Sequence, residues 1–303
     1  MGLESYFKTI DNLSDREAQR LRGQVRKYYT ESLKNIQNEL ARLDRKGNLT
    51  YAQMNNYNRL QNLEKFIDKE IGNVTGNSSR TMKARFKSIF EESYYRGAYG
   101  AEKTVNAKLG FGLLKKEVIE EAILNPLDRI GFVNRNRENG RAIARQLKQE
   151  ITQGLSQGHG YRKIANQVSK RVNIGYRKSV RIVNTETHRI TESAKQRCME
   201  DAKNYGVEME KRWLSTLDGN TRDSHKDLDG QQVPVGENFQ GDSGTGPAPG
   251  QLGDPSEDIN CRCTTIGVIA GYEPRVRRAR EVENERGEIQ SYKNYNEWKK
   301  GRL

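Results

Sequence analysis

The sequence predicts an α+β chain that is mainly helical, with an elongated N-terminal helical region followed by a compact C-terminal mixed α/β module. Three observations predict it. Apolar residues recur at three- and four-residue spacing through most of the chain before Tyr205, the period of helices with one buried face. Two β-rich stretches, 207–213 and 264–269, flank a loop rich in Gly and Pro. Hydrophobic residues make up 33% against 31% charged, with a mean hydropathy of −0.97. That balance suits cores built along helix stripes, not a thick interior of many layers.

The N-terminal region, residues 1–125, reads as helices in succession. Ser14-Asp15-Arg16-Glu17 is a capping box, in which the Ser hydroxyl accepts from a free backbone N–H and the Glu reaches back. Behind it Leu21, Val25, Tyr28, Leu33, Ile36, Leu40 and Leu43 share one face, and Lys46-Gly47-Asn48 ends the run. Thr50 opens a second helix through Met54, Tyr57, Leu60, Leu63, Ile67 and Ile71, which pairs with the first as an antiparallel hairpin. A break is expected at 72–77, where Gly72, Asn73, Gly76 and Asn77 cluster. The next helix covers 79–108. Its Tyr94, Tyr95 and Tyr99 interleave with Arg85, Lys87 and Arg96, which fits either a core edge or a nucleic-acid surface with stacking rings. A short helix over 115–124 ends before Asn125-Pro126.

The module is expected over 126–271. A helix over 135–154, a Gly-rich corner at 154–165 and a helix over 177–204 lead to a strand that enters Trp213. The corner fits a helix-turn-helix, and equally any tight helical corner. Residues 264–269 are expected to pair with the Trp213 strand. The tail, 272–303, is charged and ends in Tyr292, Tyr295 and Trp298, either a docking strip or a segment folded back on the module.

Scarce residue types gather between 211 and 263. Trp213, Thr216, Asp218, Thr221, Arg222, His225, Leu228, Asp229 and Gly230 follow one another closely, and after a loop comes Asn260-Cys261-Arg262-Cys263. The pattern W-x-x-T-x-D-x-x-T-R-x-x-H-x-x-L-D-G with N-C-R-C resembles the phage head morphogenesis domain, the Mu F-like minor head protein family of tailed bacteriophages. The lead-in helix with Arg181, Thr185 and Glu186 and the exit Tyr205-Gly206-Val207 are similar to the family's, although Asn184 stands where the family often has Arg. The likeness covers roughly 130–270, about half the chain. It implies a minor head protein associated with the portal, acting in head morphogenesis and in genome packaging and ejection. It implies further partners in the scaffolding or major capsid protein, DNA binding without sequence preference in some members, and residence in the host cytoplasm during assembly and then in the virion.

His225, Cys261 and Cys263 supply donors suited to a tetrahedral structural zinc. Asp218, Asp229, Asp258 and Cys198 are the candidates for a fourth ligand. Buried thiols beside a hydrogen-bonded His are the alternative without metal. Asp218, Arg222, His225, Asp227 and Asp229 with the two Cys also fit a metal-dependent nuclease or toxin-like enzyme. The same run explains itself structurally, with Arg222 and His225 one turn apart, Leu228 in the core and Asp229-Gly230 making a turn. No Ser–His–Asp order, phosphate-cradling loop or dinucleotide fingerprint is present, and the expectation is that the chain is not an enzyme.

The formal charge of +13 and a pI near 9.5 favour polyanionic partners. Non-specific contact with double-stranded DNA is expected at Lys87, Arg96, Arg275, Arg277, Arg278 and Arg280. A sequence-specific regulator built on the 154–170 corner is the competing nucleic-acid reading. Three Cys argue against a disulfide framework. No run approaches the ~20 apolar residues of a membrane span, and the first residues lack the basic-then-apolar plan of a signal peptide.

Overall fold

A computed structural model describes residues 2–124, 130–216, 218, 220–242, 244–269 and 299–300. The chain forms two compact units whose segments alternate along the sequence. One comprises Gln19–Ala84 and Ile130–Val183, and the other Met1–Ala18, Arg85–Arg129 and Asn184–Leu303. Three helices contribute to both: α1 (Leu3–Arg45), α3 (Arg59–Val105) and α6 (Tyr161–Asn204). Among the described residues no helix is long and apolar enough to cross a membrane.

The first unit is a helical bundle of α1, α3, α5 (Phe132–Ser156) and α6, with α2 (Tyr51–Asn55) and a 3₁₀ turn (Asn56–Asn58) between α1 and α3. Thr50 caps α2, its side chain accepting from the N–H of Gln53. The hairpin expected from the sequence is present: Tyr28 bonds Thr81 at 2.9 Å and Asn35 donates to Glu70 at 2.9 Å. The expected break at 72–77 is not. Ile71, Val74, Ser78 and Met82 are buried at three- and four-residue intervals, and α3 continues through Gly72 and Gly76. Burial of that stripe outweighs the roughly 1 kcal/mol by which each helical Gly falls short of Ala.

A polar network runs through the middle of this bundle. Asn139 donates to the carbonyl of Gly175 at 2.9 Å and to Ser179 Oγ at 3.1 Å, and Ser179 bonds the Tyr29 hydroxyl at 2.8 Å. Asn136 donates to the Thr75 carbonyl at 3.0 Å and to Ser79 Oγ at 2.9 Å. Burial pushes the Tyr29 phenol up to about 12, so it stays a neutral hydrogen-bonding group. The corner between α5 and α6 turns at Gly158 (φ +67°), and Ile164, Ala165 and Val168 beyond it are buried. Its second helix runs on for 44 residues, so the corner is a helix-packing joint and not a short exposed reader.

In the second unit α1 begins at Leu3, which places Ser14 inside the helix and not at its start. Leu3, Phe7 and Ile10 extend the buried stripe upstream, and the Thr191 hydroxyl donates to Ser14 Oγ at 2.8 Å. Tyr94, Tyr95 and Tyr99 are buried. Tyr94 donates to Asp201 at 2.7 Å, and Tyr95 accepts from the Leu114 N–H at 3.0 Å. They form a core edge, and the stacking surface is corrected. Lys87 and Arg96 stand beside Glu91 and Glu92 on α3. The basic cluster 275–280 and the aromatic positions 292–298 lie outside the described residues. α4 (Lys116–Leu124) also belongs to this unit.

The sheet has the order β2–β1–β5, all antiparallel, with β1 at Met209–Leu214, β2 at Gln232–Pro234 and β5 at Thr264–Ile269. The pairing of the Trp213 strand with 264–269 is therefore as expected, with Trp213 opposite Thr265. Met209, Lys211 and Trp213 point to the buried face. A second hairpin pairs β3 (Phe239–Gly241) with β4 (Gly244–Gly246).

Helix packing in the bundle depends on Gly175, where an added Cβ would lie 2.5 Å from Ile143 Cγ1 and 3.5 Å from Tyr29. Gly175→Ala should lower bundle stability by roughly 1–3 kcal/mol through overpacking. Gly72→Ala, with open space around it, should be neutral or stabilising. Chemical denaturation of both variants checks the contrast.

Candidate metal centre

Trp213 is the floor of the site. It is fully buried, its ring meets His225 edge-on at 5.6 Å and Phe239 at 5.3 Å, and Leu228, Leu252, Cys261 and Cys263 pack in the same cluster. The turn after it is fixed by backbone and short side chains. Gly230, at φ +80°, donates to the Trp213 carbonyl at 2.9 Å, and Asp229 accepts from the Ser215 N–H at 2.7 Å. Trp213 Nε1 donates to Ser215 Oγ at 3.1 Å, and Ser215 Oγ in turn donates to the His225 carbonyl. These bonds hold α7 (Asp223–Asp227), on which His225 sits, directly over the Trp.

The Cys-bearing segment is brought in by α8 (Pro255–Asp258) and by the turn after it. Asp254 caps α8 through the Ser256 N–H at 2.7 Å. Asp258 accepts from the N–H groups of Leu252 at 2.8 Å and Gly253 at 3.1 Å. Asn260 takes a left-handed conformation (φ 59°), and its N–H donates to Thr185 Oγ1 at 3.2 Å. Arg222 donates to the Ile259 carbonyl at 2.7 Å, and Thr216 to the Arg262 carbonyl at 2.7 Å. Arg262 forms a two-pronged pair with Asp218, which holds that exposed carboxyl well below the usual range. Most of the polar side chains that stand out in the sequence here are thus spent on tying loop backbone, which lacks a ladder of its own.

What these ties assemble is one buried group. His225 Nδ1 lies 3.3 Å from Cys263 Sγ and 3.7 Å from Cys261 Sγ, and the three donor atoms all fall within 4.8 Å of one another. The hydrogen bond from Cys261 and the nearby His225 hold the Cys263 thiol below the ordinary range, and the same pairing, with burial, pushes the Cys261 thiol up. The other face of the imidazole meets Glu257: Oε2 is 2.8 Å from Nε2, a contact of proximity without an aligned hydrogen bond. Ser224 donates to the same oxygen at 2.8 Å. The four fourth-ligand candidates are engaged elsewhere. Asp218, Asp229 and Asp258 make the bonds above, and Cys198 packs beside Gly97 and Phe7, where burial pushes its thiol far up.

Sequence reasoning found the three donors and missed Glu257, which no spacing rule singles out beside Asp258. It also missed two buried lysines. Lys195 reaches Glu192 at 2.7 Å, Thr264 Oγ1 at 2.6 Å and the carboxylate of Asp11. Burial opposes its charge, but Glu192 and Asp11 outweigh burial and hold the ammonium above the ordinary lysine range. Glu192 also accepts from the Thr265 N–H at 2.9 Å, so this network sets where β5 begins. Lys211 donates to the Pro247 carbonyl at 2.7 Å and to Gln196 at 3.1 Å, with its ammonium 5.1 Å from the Phe239 ring centre.

A family model described as Phage Mu protein F like protein matches residues 145–266. The chain is 31% identical over 98% of its length, and over 96% of the other, to the minor head protein GP7 of Bacillus phage SPP1. It is also 29% identical over 99% of its length to an Enterococcus faecalis protein named NAD(+)--arginine ADP-ribosyltransferase EFV, of which it spans 61%. That second likeness corrects the expectation that the chain is not an enzyme: its whole length aligns with part of a protein named for a catalytic activity. No solved structure matches.

Burial pulls Lys211 from 10.5 down to about 8, so the unfolded chain binds the extra proton between those values. The contribution of Lys211 to stability should therefore rise with pH across that window. In Lys211→Met the rise should be absent, and thermal unfolding of both proteins at the two ends of the window checks it.

Proposed function

The chain belongs to the Phage Mu protein F like family, and from that premise we propose that it is a minor head protein of a tailed bacteriophage. The match to SPP1 GP7 along nearly the whole of both chains carries the reading. Its finer content is residence in the virion head next to the portal protein, with a part in head morphogenesis and in genome packaging and ejection. Assembly takes place in the host cytoplasm, with scaffolding or major capsid protein as further neighbours. The His225, Cys261 and Cys263 group serves the fold in this role, as a zinc anchor for the loop between Leu228 and Asn260.

Double-stranded DNA is the polyanion such a protein meets, and the charge distribution supports contact with it. The bundle unit carries 25 Lys and Arg against 8 Asp and Glu, a formal +17, whereas the other unit carries 28 against 32, or −4. On α5 the exposed Arg137, Arg141 and Arg145 recur every four residues, opposite the buried stripe of Ile143, Leu147 and Ile151. On α6 the exposed Lys163, Lys170 and Arg177 recur every seven, opposite Val168, Val172 and Ser179. These rows, more than the Lys87 and Arg96 positions expected from the sequence, are what phosphates would meet. Contact of this kind neutralises phosphates and releases counterions without reading bases.

Two measurements test the reading. Full-length protein co-expressed with its cognate portal should sediment with it and be found in purified virions; a protein absent from both is not a minor head protein. Binding to duplexes of unrelated sequence should weaken linearly with log salt. Replacing Arg141, Arg145, Lys170 and Arg177 with Gln should flatten that slope by about 0.9 for each phosphate no longer neutralised. An unchanged slope removes these rows from the interface.

A further inference from the structure

We propose that His225 Nδ1, Cys261 Sγ and Cys263 Sγ bind one zinc ion, and that Glu257 is the positioning residue that presents Nδ1 to it. The inference carries the zinc anchor further and rests on that reading. Three observations on different parts of the site point the same way.

The first is spacing. A tetrahedral zinc with its usual bonds to sulfur and nitrogen sets each N···S edge at about 3.5 Å. The two edges here are 3.3 and 3.7 Å, so donors from α7 and from the segment after α8 already stand at the separations an ion would impose. The residues are 36 and 38 positions apart in the chain. No local turn forces that spacing.

The second is chemistry. Two thiols and an imidazole, all buried, form a soft donor set that suits zinc over magnesium or calcium. In the loaded site the two thiolates balance the ion's two positive charges, which an apolar floor of Trp213, Phe239 and Leu252 tolerates.

The third is the imidazole's other side. The Glu257 carboxylate, buried and anchored by Ser224, stands 2.8 Å from Nε2. The carboxylate's negative charge, even without an aligned hydrogen bond, favours the tautomer with the ring proton on Nε2, which leaves the lone pair on Nδ1, the nitrogen that faces both sulfurs. Glu257 touches no sulfur and is not a ligand. It acts through His225.

The test uses the full-length protein, stripped of metal under reducing conditions and titrated with cobalt(II) as a spectroscopic stand-in and then with zinc against a chromophoric chelator. The wild type should take up one cobalt per chain, with a sulfur-to-cobalt charge-transfer band and the visible bands of a tetrahedral ion. Zinc should displace it. Glu257→Gln should keep both bands and one-to-one binding but lose about 10- to 100-fold in affinity. A purely structural Glu257 would lower the melting temperature of metal-free protein and leave affinity unchanged, and that result overturns its positioning role. A wild type that binds neither ion, or a cobalt spectrum without the sulfur band, overturns the zinc site itself. Either outcome is independent of whether the protein sediments with a portal.

Discussion

The buried ammonium of Lys195 is the constraint on which the sheet-bearing unit depends. It sits on α6 and gathers Glu192 from its own helix, Asp11 from α1 and Thr264 from the first position of β5. A charge so deep is tolerated only while every partner is in place, and removal of one member of such a group typically costs about 3–5 kcal/mol. Its effect is positional. The second oxygen of Glu192 takes the Thr265 N–H, so the strand can begin in one register only. Cys263 is the residue immediately before that strand. The ion network therefore delivers the last thiol to the place where His225 waits.

From there the loop between β1 and β5 is held mostly by side chains reaching backbone. Asp229, Asp258, Arg222, Thr216 and Asn260 each satisfy or present main-chain groups that no helix or ladder serves. Such bonds are individually worth about 1 kcal/mol, and they cooperate because each fixes the loop for the next. The close approach of backbone at Gly246, where an added Cβ would collide with residues 251 and 252, leaves no slack for a larger residue. His225 and the two Cys stand at opposite ends of this loop, so a metal, if bound by them, would add a tie that is strong by itself.

The bundle unit is organised on the opposite plan. Its interior carries an amide and hydroxyl network around Asn136, Asn139, Ser179 and Tyr29, and its exterior carries the chain's excess of positive charge. Buried Asn side chains between helices with a close glycine contact favour one packing register over its neighbours, because a slip by one turn would strand their donors and acceptors. A unit so charged outside gains from a fixed interior, since self-repulsion of like charges favours looser states.

Sequence alone determined the helical character, because an apolar stripe of three- and four-residue period needs no distant partner to be recognised. It also picked out His225, Cys261 and Cys263, since scarce residue types clustered in a Gly/Pro-rich stretch are legible before any fold is known. It misjudged the run through Gly72 and Gly76 and the helix start at Ser14, where local breaking and capping signals are each worth about 1 kcal/mol and burial of a long stripe exceeds them. Whether the tyrosines of α3 faced solvent or core was undecided by spacing, and only packing against other helices settled it. Glu257 and the Asp11–Lys195 pair were illegible for another reason. Asp11 and Lys195 are 184 residues apart, and a carboxylate becomes the partner of an imidazole or an ammonium only when the fold removes water from between them. Tertiary structure decided those contacts because charge finds its partners in space, while periodicity is written along the chain.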